Sequence, residues 1–177
     1  MKLADLTASR RTATEPAPVD GARWITLTHG KFALVDADQF DKLSVHSWFP
    51  TGRPGKEYAT ARIGGGLVYL HHAVMDDVPT YIQLDHENRN RLDCRRQNLR
   101  RATNSQNAMN RKSVGACEYK GVSRVGHRFR AQITPNGKKV SLGCYPTANE
   151  AAVAYDCAAI FYDPKFAKTN FDWSKAA

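Results

Sequence analysis

Apolar positions along this 177-residue chain fall into short alternating runs separated by turn residues, with helical spacing in a few places only. Residues 1–21 are polar, carry Pro16, Pro18 and Gly21, and show no periodic pattern, so they read as a flexible arm. Trp24 to Thr28 and Lys31 to Val35 alternate as two strands around His29-Gly30, a turn pair. Asp36 or Asp38 can cap a short helix carrying Phe40, Leu43 and Val45. Tyr58 to Arg62 is a further strand, broken by Gly64-Gly65-Gly66, and Leu67 to Met75 reads as strand passing into helix. After Pro79, Tyr81 to Asp85 alternates as a strand, residues 86–97 form a loop, and 98–102 return as a strand. Thr103 with Gln106 is a capping box that opens a helix to about Arg111, giving two strands, a long loop and a helix.

A second module follows a linker at 113–117. Tyr119 to Ser123, Phe129 to Thr134 and Lys139 to Leu142 read as three strands, the last two joined at Asn136-Gly137. Thr147 with Glu150 is a second capping box. Behind it Ala148, Ala151, Ala152, Tyr155, Ala159 and Tyr162 form a stripe whose small residues let the helix lie close to a sheet.

Charge sharpens this division. The chain carries a net charge of +9, and residues 81–135 hold twelve basic and four acidic side chains, so nearly all the excess lies there. Such a cluster calls for an acidic partner. The four cysteines are widely spaced with no Cys-x-x-Cys pair, which argues against a zinc ribbon or a disulfide framework and for reduced thiols. No apolar run suits a signal peptide or a membrane span, so the expected setting is the cytoplasm of a bacterial or phage-infected cell, with no membrane partner.

The chemistry concentrates in residues 84–107. Asp85-His86 ends an apolar run, Asn98 follows twelve residues after His86, and Asn107 nine after that. This spacing resembles the HNH nuclease motif in its His-Asn-Asn form, over roughly residues 67–112, with 24–66 similar to the β-rich segment that often precedes it. The resemblance implies an α+β, ββα-metal unit over 22–112. It casts His86 as general base, Asn98 as the group holding its imidazole, and Asp85 and Asn107 as metal ligands. The residue types suit those roles. A neutral imidazole can take a proton from water near pH 7. A hard divalent ion prefers oxygen ligands, so Mg²⁺ is expected, with Mn²⁺ as the alternative. Cys94 stands where the family often has Asn. Of His71 and His72, one is expected buried and one facing out. Arg89, Arg91, Arg95, Arg96, Arg100 and Arg101 crowd the loop and returning strand and suit phosphate contacts, although Arg100 and Arg101 must face opposite sides of that strand.

Residues 118–172 resemble the AP2 DNA-binding domain. The matching pieces are Tyr119-Lys120-Gly121-Val122, Phe129 to Ile133, Leu142 to Tyr145, Glu150 to Asp156 with Ala158-Ala159, and Asn170-Phe171. The resemblance implies a three-stranded antiparallel sheet laid in the major groove with one helix behind it. Its DNA-facing candidates here are Lys120, Arg124, Arg128, Arg130, Gln132 and Lys139. Phe129 and Ser141 replace tryptophans frequent in plant members, so the plant target is not implied.

The two resemblances together imply a metal-dependent endonuclease acting on double-stranded DNA, of the homing, phage or mobile-element type. It would leave 5′-phosphate and 3′-hydroxyl ends, with the AP2-like module as targeting domain; the sequence is compatible with a monomer and does not fix the oligomeric state. The alternatives are a DNA-binding regulator with an inactive nuclease unit, and an RNA-directed protein. The second lacks the aromatic sheet platform of common RNA-binding modules.

Overall fold

In the computed structural model, residues 13–111 and 117–175 are described, so part of the arm at 1–21 and most of the linker at 113–117 lie outside them. The chain forms two compact units that divide at Arg100–Arg101. Both are mixed α and β, built from small antiparallel sheets and short helices.

The first unit opens with a hairpin, β1 (Ala22–Leu27) and β2 (Lys31–Asp36), in register from Ala22↔Asp36 to Leu27↔Lys31. His29 at φ 61° and Gly30 at φ 66° make the turn. Alternation sends Ile25, Leu27, Ala33 and Val35 into the core. The end of the arm is tied to this hairpin, because the Trp24 indole N–H donates to the Ala17 carbonyl at 3.0 Å. The short helix α1 (Phe40–Ser44) has no side-chain cap. The aspartates expected to cap it turn elsewhere: Asp36 accepts from the Arg96 backbone N–H and Asp38 from the Arg96 guanidinium, each at 2.8 Å. The helix is held instead by burial of Leu43, whose carbonyl accepts from the buried Trp48 indole at 2.8 Å. Each large apolar side chain buried here is worth about 1.5–3 kcal/mol, enough to fix a five-residue helix that could not stand alone.

Strands β3 (Phe49–Thr51), β4 (Tyr58–Ile63) and β5 (Gly66–Tyr69) form a sheet in that order. Ala59 and Ala61 line the core, which leaves Tyr58 and Thr60 on the opposite face. Helix α2 (Leu70–Val74) follows directly and buries Leu70, His71 and Val74. Then come β6 (Gln83–His86) and its partner β7 (Leu99–Ala102), the strand in which the chain passes from one unit to the next. The loop between them is stitched to β2: Leu34 N–H donates to the Leu92 carbonyl, and Cys94 N–H to the Leu34 carbonyl, both at 2.8 Å. Cys94 is fully buried in the core, and burial pushes its thiol pKa well up, so it acts as a packing residue.

The second unit begins with α3 (Asn104–Asn110), whose Thr103–Gln106 capping box forms as the sequence predicts. Its contacts run to later parts of the chain. Ser105 Oγ donates to the Thr134 carbonyl at 3.2 Å, Gln106 Nε2 donates to Asp163 at 2.9 Å, and Met109 packs with Ile133, Tyr155, Ala159 and Phe166. That packing is why the compact units divide before α3, whereas the sequence reading divides the chain at 113–117. Strands β8 (Val122–Val125), β9 (Arg128–Ile133) and β10 (Val140–Tyr145) form an antiparallel sheet with β9 central. Helix α4 (Ala148–Tyr162), with its own capping box, lies on this sheet through the buried Ala151, Ala152, Tyr155 and Ala159. Gly121 shows how close the approach is: a Cβ there would fall 1.9 Å from the Tyr155 ring, at φ +73°. Only glycine fits that position.

Candidate active site

His86 closes β6 and is buried. Its ring meets the edge of His71, with centroids 5.2 Å apart and planes at 84°, and lies 6.1 Å from the ring of Tyr58. His71 also packs on Tyr58 and Tyr69, each with centroids 5.4 Å apart, and on His72 at 4.9 Å, so five rings form one cluster. Desolvation lowers the His86 pKa to about 4 and the His71 pKa to about 3, against the opposing pull of Asp85 and Asp93 on His86. Both imidazoles are therefore neutral at pH 7, the form in which a histidine can accept a proton. His72 is half-buried, with its Nδ1 buried and making no hydrogen bond.

Adjacent strand residues point to opposite faces, so Asp85 looks away from the ring cluster. The Arg100 guanidinium binds it, with Nε and one NH₂ group donating to the same carboxylate oxygen at 2.9 and 2.8 Å. Arg100 is the member of the Arg100–Arg101 pair engaged this way, while the Arg101 side is exposed.

Asn98 is buried, but its amide serves the loop and does not bond to the imidazole. Its oxygen accepts from the Asn88 N–H at 2.9 Å, and its nitrogen donates to the Asp93 carbonyl at 2.7 Å. Its backbone carbonyl accepts from the Glu87 N–H at 2.9 Å, which fastens the residue just after His86. The reason lies in a carboxylate that sequence reasoning missed. Asp93 is buried and gathers the Arg95 guanidinium at 2.8 and 2.7 Å and the Asn88 amide at 2.8 Å, folding the loop so that Asn98 spans it. An Asn-x-Asn and Asp at turn spacing was the available signal. Asn107 lies half-buried in α3, with its N–H donated to the Thr103 carbonyl at 2.9 Å.

Residues 77–109, which hold Asp85, His86, Asn98 and Asn107, match the family model described as HNH endonuclease. That match supports a nuclease of the HNH kind. The chain is also similar, at 27% identity over 161 residues, to an uncharacterized HNH endonuclease of Acanthamoeba polyphaga mimivirus, covering 86% of this chain and 83% of that one. Two partial likenesses fall on about a third of the chain. One is to an AP2-like ethylene-responsive transcription factor of Arabidopsis thaliana, at 45% identity over 67 residues. The other is to a second ethylene-responsive transcription factor of the same plant, at 47% over 66 residues. The chain spans only 19% and 15% of those two plant proteins.

The arginines of the loop and returning strand have different fates. Arg95 is paired with Asp93, Arg96 with Asp38 and Arg100 with Asp85. Arg91 donates to the Lys56 carbonyl at 2.7 Å and stacks over Tyr58, 4.4 Å from the ring centroid. Arg89 sits exposed at φ 64°. In the second unit the outer face of the β8–β10 sheet carries Ser123, Arg128, Arg130, Gln132, Ser141 and Cys144, as the register Ser123↔Arg130↔Cys144 and Gln132↔Ser141 requires. Arg124 pairs in register with Phe129 on the other set, and its Nε donates to the Gly126 carbonyl at 3.1 Å. Lys120 turns inward, donating to the Met109 carbonyl and lying over Tyr155. Lys139 is exposed just before β10.

HNH enzymes use a divalent metal, and the donors here bear on that only partly. Among the described residues no group of three or more His, Cys, Asp and Glu side chains converges as a metal cage. A site made of one carboxylate and one amide oxygen, completed by water and phosphate, does not need such a cage. Asp85 is a hard oxygen donor whose carboxylate is held by the Arg100 guanidinium, so a metal there would share or displace that partner.

Proposed function

We propose that this protein is a divalent-metal-dependent endonuclease that hydrolyses phosphodiester bonds in double-stranded DNA, with residues 118–172 as an AP2-like targeting domain. The observation that carries the reading is a buried, neutral His86 next to Asp85 inside the segment that matches the HNH endonuclease family model. His86 takes the proton of the attacking water. Asn98 keeps the Asn88–Asp93 loop closed behind it and so orients His86 through the backbone. Asp85 and Asn107 are the residues that would hold the metal, Mg²⁺ or Mn²⁺. When bound, that ion supplies Lewis-acid stabilisation of charge on the phosphate and leaving oxygen. The ββα-metal arrangement of residues 67–112 and the three-stranded AP2 arrangement are part of this reading.

Arg89, Arg91 and Arg101 supply phosphate contacts from the nuclease side. Arg128, Arg130 and Gln132, on the outer sheet face, supply backbone and base-edge contacts from the other. A homing or mobile-element role, and residence inside the cell, are part of this reading. No helix among the described residues is long and apolar enough to cross a membrane.

A plasmid-nicking assay with and without Mg²⁺ tests the reading. The wild type should nick only with metal, and His86→Ala should bind DNA with near wild-type affinity but not cut. Cleavage at full rate by His86→Ala would remove the imidazole from the mechanism. The Arg100–Asp85 pair favours one second reading, a DNA-binding regulator whose ligand carboxylate is taken. Binding without nicking at any Mg²⁺ or Mn²⁺ concentration would select it.

A further inference from the structure

We propose that Arg91 grips the phosphate undergoing cleavage, and that Tyr58 is the positioning residue that sets its guanidinium beside His86; this rests on the nuclease reading above. The argument begins with charge. Three neighbouring arginines are neutralised by carboxylates: Arg95 by Asp93, Arg96 by Asp38, Arg100 by Asp85. Arg91 differs. Its partners are the Lys56 carbonyl, at 2.7 Å from one NH₂ group, and the face of the Tyr58 ring, 4.4 Å from Cζ. Neither cancels a full positive charge. Among the described residues no carboxylate pairs with it, and a half-buried cation in that state is unfavourable until an anion arrives.

Position comes next. The Tyr58 ring has Arg91 over its face and lies 6.1 Å, centroid to centroid, from the ring of His86 and 5.4 Å from that of His71. One side chain therefore touches both the proton acceptor and the unneutralised cation. Tyr58 opens β4, and Lys56 lies two residues before it, so both holds on Arg91 come from the start of the central strand of the β3–β5 sheet. A stacked guanidinium bonded through one NH₂ group keeps its remaining N–H donors for a phosphate, which it can grip bidentately. Donors fixed before the substrate arrives stabilise developing charge without reorganising during the reaction. Lysine could supply the charge but neither the stacking nor the fork.

The test uses the full chain and two readouts. One is the rate of plasmid nicking at saturating enzyme with Mg²⁺. The other is the salt dependence of binding to a short labelled duplex in EDTA. Arg91→Ala should lower the rate about a hundredfold and flatten the slope of log K against log salt by about 0.9. Arg91→Lys should restore the slope but not the rate. Tyr58→Leu should lose rate while keeping the slope, with most of that loss rescued in Tyr58→Phe. Tyr58→Leu/Arg91→Ala should be no slower than Arg91→Ala alone, since the ring acts through the guanidinium. A wild-type slope in Arg91→Ala, or full rate in Arg91→Lys, overturns the grip. Multiplying losses in the double variant overturn the role of Tyr58. If the wild type cuts nothing, the nuclease reading falls, and the slope measured in EDTA still decides whether Arg91 holds a phosphate.

Discussion

Arg100 donates twice to one carboxylate oxygen of Asp85, from Nε and one NH₂ group at 2.9 and 2.8 Å. Both side chains are largely buried, so this is a pair whose breakage leaves charge in a poor solvent. Arg100→Ala is expected to destabilise the protein by about 3 kcal/mol. Where Asp85 is a metal ligand, Mg²⁺ then has a carboxylate to neutralise. Thermal denaturation should show Mg²⁺ raising the Tm of Arg100→Ala more than that of the wild type. Equal shifts in the two proteins would mean that Asp85 takes no metal.

The ring cluster makes stability depend on pH in a fixed direction. His71 is neutral in the folded protein down to its lowered pKa of about 3, because burial disfavours its charge, while in the unfolded chain it titrates near 6.5. Between those values the unfolded state binds the extra proton. Stability is therefore complete above about pH 6.5 and declines as pH falls, by at most about 1.4 kcal/mol per pH unit from this group. His86, lowered to about 4, adds to the same trend down to that value. His71→Leu should unfold with a shallower dependence between pH 6.5 and 4 than the wild type in urea titrations. An identical slope would show that His71 gains access to water.

Another buried carboxylate has a purely architectural task. Asp156 on α4 is fully buried and accepts from the Asn170 backbone and side-chain nitrogens at 2.7 and 3.0 Å, the Phe171 N–H at 3.0 Å and the Trp173 indole at 2.9 Å. Asn170 in turn brackets Lys120 through both ends of its amide, at 2.6 and 3.2 Å. One carboxylate thus fastens the C-terminal segment across the start of the sheet. Hydrogen bonds to a charged group contribute about 1.5–3 kcal/mol each, so Asp156→Ala should cost the second unit more than about 3 kcal/mol. Two denaturation transitions are expected, with only the one belonging to the 101–175 region moving. Loss of both together would show that the units unfold as one.

The sequence was most legible where physics is local. The two capping boxes open α3 and α4 where Thr103 and Thr147 place them, and the β1–β2 hairpin turns at His29-Gly30. Strands β6 and β7 bracket the loop that alternation predicts, with His86 at the strand end. What escaped depends on distance along the chain. Nothing near Tyr58 says that it will lie against a histidine 28 positions later. The Asn98 amide and the aspartates before α1 have partners set by loop closure, since a polar side chain near several donors takes the best tertiary partner over the local one. The allegiance of α3 was hidden for the same reason. Its capping box marks where it starts, but Met109 and its partners from Ile133 to Phe166 decide what it packs on.

That principle separates two residues that the sequence treats alike. Lys120 and Arg130 are both basic and both within the AP2-like segment. Arg130 stands on the outer sheet face opposite Ser123 and Cys144. Lys120 donates to the Met109 carbonyl and lies 5.8 Å over the Tyr155 ring, inside its own unit. Arg130→Ala should therefore weaken DNA binding and flatten its salt dependence by about 0.9 for one lost phosphate contact. If Arg130 reads a base edge instead, the salt slope should hold while discrimination between sites falls by roughly 1–3 kcal/mol. Lys120→Ala should leave both slope and discrimination near wild type and lower the Tm, because it removes a bond to α3 and a cation from an aromatic face. Binding titrations over a salt series, run beside thermal melts, separate these outcomes. A slope change in Lys120→Ala equal to that in Arg130→Ala would mean that Lys120 leaves Met109 to contact DNA, and that the sheet presents a broader basic face than its register implies.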